Sequence, residues 1–253
     1  MLEFLAKLSA VDMMTISMSA MGLAGGVIST IITMNAKYYE DQRQLRMTVG
    51  DLAQKILALR ADAELLNIKA LKKQEGMEEF VAAHGHNLRT QLTLARLMID
   101  ALDQMKRQAT ATEYEVLAAA LTANGDPAAD KYWAVAVKQT SNPTARLLLM
   151  CQHAYALMRQ GREADSERIF AHALAAAKES PYYEGYVHEA EAKALHGIHR
   201  HEAAHAAFDR AKASYLTMPD IGARQAALQA LASARSTVGL PDPEDARRTV
   251  TAA

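Results

Sequence analysis

A single cysteine, Cys151, stands among 253 residues, so no intrachain disulfide framework can hold this chain together. It sits in LLLMCQHAYAL, an apolar helical context that suits a buried, inert thiol better than a nucleophile. Six prolines, twelve glycines and 6% aromatics leave few turns, and the β-branched or aromatic runs that strands need are missing. The abundance of alanine that remains points to an all-α fold. Charge is nearly balanced at −1 overall, and no basic block is interleaved with aromatics. Nucleic acid is therefore not an expected partner. Glycine-rich phosphate loops, a nucleophile elbow and a tight acidic pair with a base are also missing. Neither an enzyme nor a bound cofactor is expected.

The chain does carry one long uncharged run. Residues Met13 to Met34, MMTISMSAMGLAGGVISTIITM, hold no charge in a chain that is 23% charged as a whole. As a helix this run covers about 33 Å, enough for a hydrocarbon core of about 30 Å. Six Ser or Thr, three Gly and five Met make it weakly hydrophobic for its length. A helix buried in a core or between subunits is one alternative, and a cleaved signal is another. The signal fits poorly, because Lys7 is offset by Glu3 and Asp12 and the run continues eight residues past Gly26. Residues 1–36 are therefore expected to be a single-pass membrane anchor. Lys37, Arg43 and Arg46 come after the run whereas only Lys7 precedes it, which places the C-terminal bulk in the cytoplasm. Ser19, Gly22, Gly25 and Gly26 put small side chains about one turn apart, a surface on which other membrane helices can pack.

Polarity rises sharply after Asn35, and residues 37–109 read as a long helical linker. Leu45, Val49, Leu52, Ile56, Leu59, Ala63, Leu66 and Ala70 step by four and three. Such a seam supports a homo-oligomeric coiled coil through residues 45–70, or equally an amphipathic helix packed on the rest of the chain.

Within this region, His86-Asn87-Leu88-Arg89-Thr90-Gln91-Leu92-Thr93 resembles the phosphoacceptor box of sensor histidine kinases, H-E-L-R-T-P-L-T. The resemblance implies phosphotransfer through His86. Asn87 replaces the acidic neighbour and Gln91 the kinking proline, and nothing downstream looks like an ATP-binding domain. The match covers eight residues.

Spacing dominates from residue 110 onward. Ala129, Trp133 and Ala136 recur as Ser166, Phe170 and Ala173, then as Ala204, Phe208 and Ala211, with the aromatics 37 and 38 residues apart. Turns precede each second helix at Asn124-Gly125-Asp126-Pro127, Gln160-Gly161-Arg162 and Gly197-Ile198-His199-Arg200. Pro143, Pro181 and Pro219 punctuate the boundaries between units. The small residue lets paired helices approach, and the aromatic fills the groove beside the next unit.

These residues resemble the tetratricopeptide-repeat family of α-solenoids. Ala154 and Ala192 match its small position in the first helix, and the small–aromatic–small triples match the second. The period exceeds the family's roughly 34 residues, and Leu117 stands where the first unit should have a small residue. Met150 and His188 replace the leading aromatic of the first helix. The resemblance implies a repeat domain over residues 110–253 with a C-terminal capping helix. It also implies an inner face lined by first helices, with Tyr155, Met158, Arg159, Glu189, Lys193 and His196 as partner contacts.

Five of nine histidines fall between His188 and His205. His196, His199, His201 and His205 are candidate metal ligands, since His201 and His205 lie one turn apart on a helix. No cysteine adjoins them and acidic helpers are limited to Glu189, Glu191, Glu202 and Asp209, so no metal is expected. The combined expectation is an all-α, membrane-anchored adaptor or scaffold that binds other proteins, membrane-embedded subunits among them. The competing expectations are a signalling protein using His86, and an assembly protein whose apolar helix is buried between subunits.

Overall fold

The computed structural model describes the backbone of residues 10–72, 77–105 and 109–239, with side chains at 33–66, 80–105 and 109–239. The described residues form nine helices and no strand, so the all-α expectation holds. In chain order these are α1 (Ala10–Lys72), α2 (Met77–Gln104), α3 (Ala111–Ala123), α4 (Ala129–Gln139) and α5 (Pro143–Arg159). They continue as α6 (Glu163–Ala177), α7 (Pro181–Gly197), α8 (His201–Leu216) and α9 (Ile221–Thr237).

The apolar run lies in the first part of α1, a single helix of 63 residues. Among the described residues no helix is long and apolar enough to cross a membrane. The packing expected of Ser19, Gly22, Gly25 and Gly26 falls outside the described side chains.

Helices α3/α4, α5/α6 and α7/α8 pack as successive hairpins, and α5 meets both α4 before it and α7 after it. This is a helical-repeat arrangement, and local chemistry explains its register. The Thr110 side chain and Glu113 form a reciprocal capping box at the start of α3. Asn142 accepts from the Ala145 amide at 3.1 Å just before Pro143 opens α5. The first two hairpin turns place Gly125 and Gly161 at φ 69° and 74°, where glycine is the natural choice. In the third turn His199 takes the same position at φ 62°.

The recurring triples form the core. Ala129, Ser166 and Ala204 are completely buried, as are Ala136, Ala173 and Ala211. Trp133, Phe170 and Phe208 fill the space beside them. In the second hairpin the Ser166 hydroxyl donates to the Ala154 carbonyl at 2.8 Å, which requires helices that nearly touch. In the third, Gly185 of α7 lies beneath the Tyr215 ring of α8. A Cβ there would sit 2.4 Å from the ring, closer than carbon atoms approach.

Residues 45–56 pack on the chain's own helices, the second of the two arrangements their spacing allows. Val49, Leu52 and Ile56 are buried in the same cluster as Met98, Leu117 and Trp133, so one core runs across residue 109. An ion pair from Arg46 to Glu113 ties α1 to the start of α3. This part of the seam faces the chain's own helices. A seam this short has nearly the same angular spread at a 3.5 or a 3.6 period, so pattern alone does not choose between the two packings.

Ion pairs stitch successive units. Asp130 of α4 lies 2.6 Å from His153 Nε2 on α5 and accepts from Arg162 Nη1 at 2.5 Å. Arg200 reaches Glu163 at 2.9 Å, and Arg235 of α9 reaches Asp209 at 3.0 Å. Burial pushes the His153 imidazole below its ordinary 6.5, with the neighbouring Asp130 opposing. Burial would raise the Asp130 carboxyl, yet hydrogen bonds from Arg162 and His153 hold it below its ordinary 3.8. Both groups bind their proton more weakly in the fold than in the unfolded chain. Their contribution is therefore complete above the ordinary value and is lost as pH falls through the folded one. Melting followed by circular dichroism is expected to show stability falling from about pH 7 to about pH 5, a fall that His153→Gln flattens. An unchanged slope in the variant would contradict the role given to His153.

Candidate partner-binding groove

Two cavities on the face formed by the first helices share Gln152 and Tyr186, and together they make one groove across the hairpins. The larger, about 550 Å³, lies between α5, α7 and the end of α9. The smaller, about 490 Å³, continues between α3, the α4–α5 connection and α5. The fold positions it directly. Each first helix turns Ala154, Ala192 or its counterpart inward against its partner helix, and the opposite side of that helix faces the concavity.

Of the six contact residues expected from sequence, Tyr155, Glu189, Lys193 and His196 line the larger cavity. Met158 does not, and is buried with Phe170 and Val187. The reason is its spacing. Leu147, Cys151, Ala154 and Met158 step by four, three and four along the buried seam of α5. Arg159, at the end of α5, is exposed and lies outside the lining.

Sequence reasoning missed Gln152 and Tyr186, although each lies three residues before an expected contact, Tyr155 or Glu189. It also missed Ala234, Thr237 and Val238 of the α9 end, for which no pattern signal existed. Cys151 touches the groove, but burial pushes its thiol up to about 12, which leaves no thiolate near neutrality.

The groove is electrically mixed. Lys193 Nζ donates to Glu189 Oε1 at 2.6 Å, while the Tyr215 hydroxyl donates to Glu189 Oε2 at 3.3 Å. Burial holds the Glu115 carboxyl above its ordinary 4.5, against the pull of Arg60. Gln139, Thr140, Ser141 and Asn142 add amide and hydroxyl groups along the smaller cavity. Tyrosine faces plus polar groups that can donate or accept suit an extended peptide better than a compact charged ligand.

The five histidines fall into two sets. His205 Nδ1 lies 2.9 Å from Arg235, and the buried His188 has Nδ1 3.2 Å from Glu191 and 3.4 Å from Arg210. The His196 and His201 rings are 5.1 Å apart and those of His199 and His201 are 5.9 Å apart, tilted and edge contacts that share His201. Among the described residues no three His, Cys, Asp or Glu side chains could hold a metal ion.

His86 is exposed on α2, and Asn87, one of the two residues that depart from the phosphoacceptor box, joins α2 to α1. Asn87, buried, donates to the Leu59 carbonyl at 2.8 Å, and Gln91 donates to Asn87 Oδ1 at 2.5 Å.

No protein-family model, curated protein or solved structure matches the chain. Its function has to be read from its own side chains.

Asn87→Ala strands a buried carbonyl and amide and is expected to cost about 1–3 kcal/mol in denaturant unfolding. His86→Ala, at the surface, is expected to stay within about 0.5 kcal/mol of the native chain. Equal effects of the two would contradict the assignment of Asn87 to helix pairing.

Proposed function

We propose that this chain is an adaptor or scaffold subunit that holds an extended segment of a partner protein in the groove on its first helices. The apolar run of α1 ties it to a membrane assembly, where Ser19, Gly22, Gly25 and Gly26 pack against other membrane helices. One observation carries the reading: a groove that continues across three hairpins through shared residues, Gln152 and Tyr186. Helical repeats expose such extended concave surfaces, and these serve recognition of chains better than chemistry on small molecules. Tyr155 and Tyr186 supply rigid amphipathic area, and the amide-rich wall supplies partners for a peptide backbone.

The membrane part draws on the sequence of Met13 to Met34. From Thr33 to Lys37 the side chains of α1 are exposed, and Val49 is the first fully buried one among the described side chains. The apolar run therefore precedes the point where α1 meets the described core. A weakly hydrophobic helix in that position gains most by packing among other helices.

The test compares the full chain with two variants. Capture from detergent-solubilised native membranes is expected to return specific proteins that the Tyr155→Ala/Tyr186→Ala chain loses by about tenfold, a loss of about 1.4 kcal/mol. The full chain is expected to stay with membranes in alkaline carbonate, and a chain lacking residues 1–36 is not. Undiminished capture by the double variant overturns the groove, and a freely soluble full chain overturns the anchor.

A further inference from the structure

We infer that the end of the groove beside α3 is a pocket for a cationic side chain, and that the partner segment places a Lys or Arg there and an apolar side chain in the larger cavity. The inference rests on the groove being a peptide site and names the kind of peptide it takes. Among the described residues lining the smaller cavity, Glu115 of α3 is the one charged side chain, and it is half-buried. Around it the wall is built of hydroxyls and amides from Thr112, Gln139, Thr140, Ser141 and Asn142. A carboxylate among oxygen acceptors can satisfy the several N–H donors of an ammonium or a guanidinium.

The charges near Glu115 do not cancel it. Arg60 of α1 acts on it by charge alone and from outside the lining, and burial outweighs that pull, holding the carboxyl above its ordinary 4.5. The nearby acid Glu113 is committed to Arg46 and to the Thr110 amide. The starts of α3 and α5 border the same cavity, and helix starts favour anions. Here they are capped from within, the Glu113 amide by Thr110 at 3.4 Å and the Ala145 amide by Asn142 at 3.1 Å. A cation beside Glu115 favours the ionised carboxylate that burial disfavours.

The larger cavity calls for a different side chain. Lys193 and Glu189 neutralise each other across 2.6 Å, and the second Glu189 oxygen accepts from the Tyr215 hydroxyl at 3.3 Å. Beside them and His196, the wall is mainly carbon from Tyr155, Tyr186, Ala190, Ala234 and Val238. With these two charges already matched, an apolar side chain gains most by entering and displacing water. Gln152 and Tyr186 belong to both cavities, so the two pockets adjoin across α5. Neighbouring helix axes lie about 8–10 Å apart, which an extended chain covers in about three residues. The segment that fits therefore has a basic residue about three positions from an apolar one.

A library of short random peptides, acetylated and amidated to remove terminal charge, is the probe, selected on the full chain in detergent and read by sequencing. Bound peptides are expected to carry Lys or Arg at one position about tenfold above its share of the library, about three residues from an apolar position. Glu115→Gln, of nearly the same size, is expected to lose the basic preference and keep the apolar one. Glu115→Lys is expected to favour Asp or Glu at that position, and circular dichroism checks that both variants are folded. A basic preference that survives Glu115→Gln, or a native chain that prefers acids or no charge, overturns the inference. An apolar preference abolished by Tyr155→Ala/Tyr186→Ala, with no basic position beside it, keeps the groove a peptide site and removes only its cationic pocket. No peptide enriched by the native chain over the tyrosine variant overturns the groove itself, and the pocket with it.

Discussion

Every larger feature of this structure depends on how closely paired helices can approach at one crossing per hairpin. At that crossing Ala129, Ser166 or Ala204 meets Leu117, Ala154 or Ala192, and all six are completely buried. In the second and third hairpins both residues are small, and in the second the backbones come together until the Ser166 hydroxyl reaches the Ala154 carbonyl of the facing helix. Only then does the aromatic four residues on, Trp133, Phe170 or Phe208, close over the seam. Truncating such an aromatic costs about 3–5 kcal/mol, whereas an exposed ion pair of the Arg200–Glu163 type is worth about 0–1 kcal/mol. The crossings set the stability, and the ion pairs between units set the alignment.

The hairpins were legible in the sequence because their signal is spacing, which tertiary context does not blur. The aromatics sit where a repeat of 37 and 38 residues puts them, and the prolines mark the joints. The place of α1 was not legible. Leu45 to Ile56 form a seam that suits a second copy or a neighbouring helix equally, and only the structure shows Val49 buried in one cluster with Trp133 and Met98. Asn87 and Gln91 look like defects in a phosphoacceptor box, yet Asn87 is a buried polar link from α2 to α1, and Gln91 donates to it within α2.

The groove was half legible. Tyr155, Glu189, Lys193 and His196 can be placed by knowing which helices face inward, while Met158 belongs to the opposite side of α5. The wall contributed by α9 could not be read, because α9 has no counterpart triple in the sequence. The histidine concentration, prominent in the sequence, divides in the structure: His205 and His188 meet Arg235, Glu191 and Arg210, while the His196, His199 and His201 rings lie against one another. One physical theme joins these results. The faces used to assemble the repeats are small, alanine-rich and buried, so the larger and more polar side chains are left to the concave surface.

The central claim is that this concave surface is where another protein binds. A photoreactive benzophenone amino acid placed at Gln152 on the groove, or at His172 on the exposed side of α6, tests it most directly. Irradiation in native membranes is expected to give discrete higher-mass adducts from position 152 and none from position 172. Adducts from 172 alone, or equal adducts from both, would contradict the account.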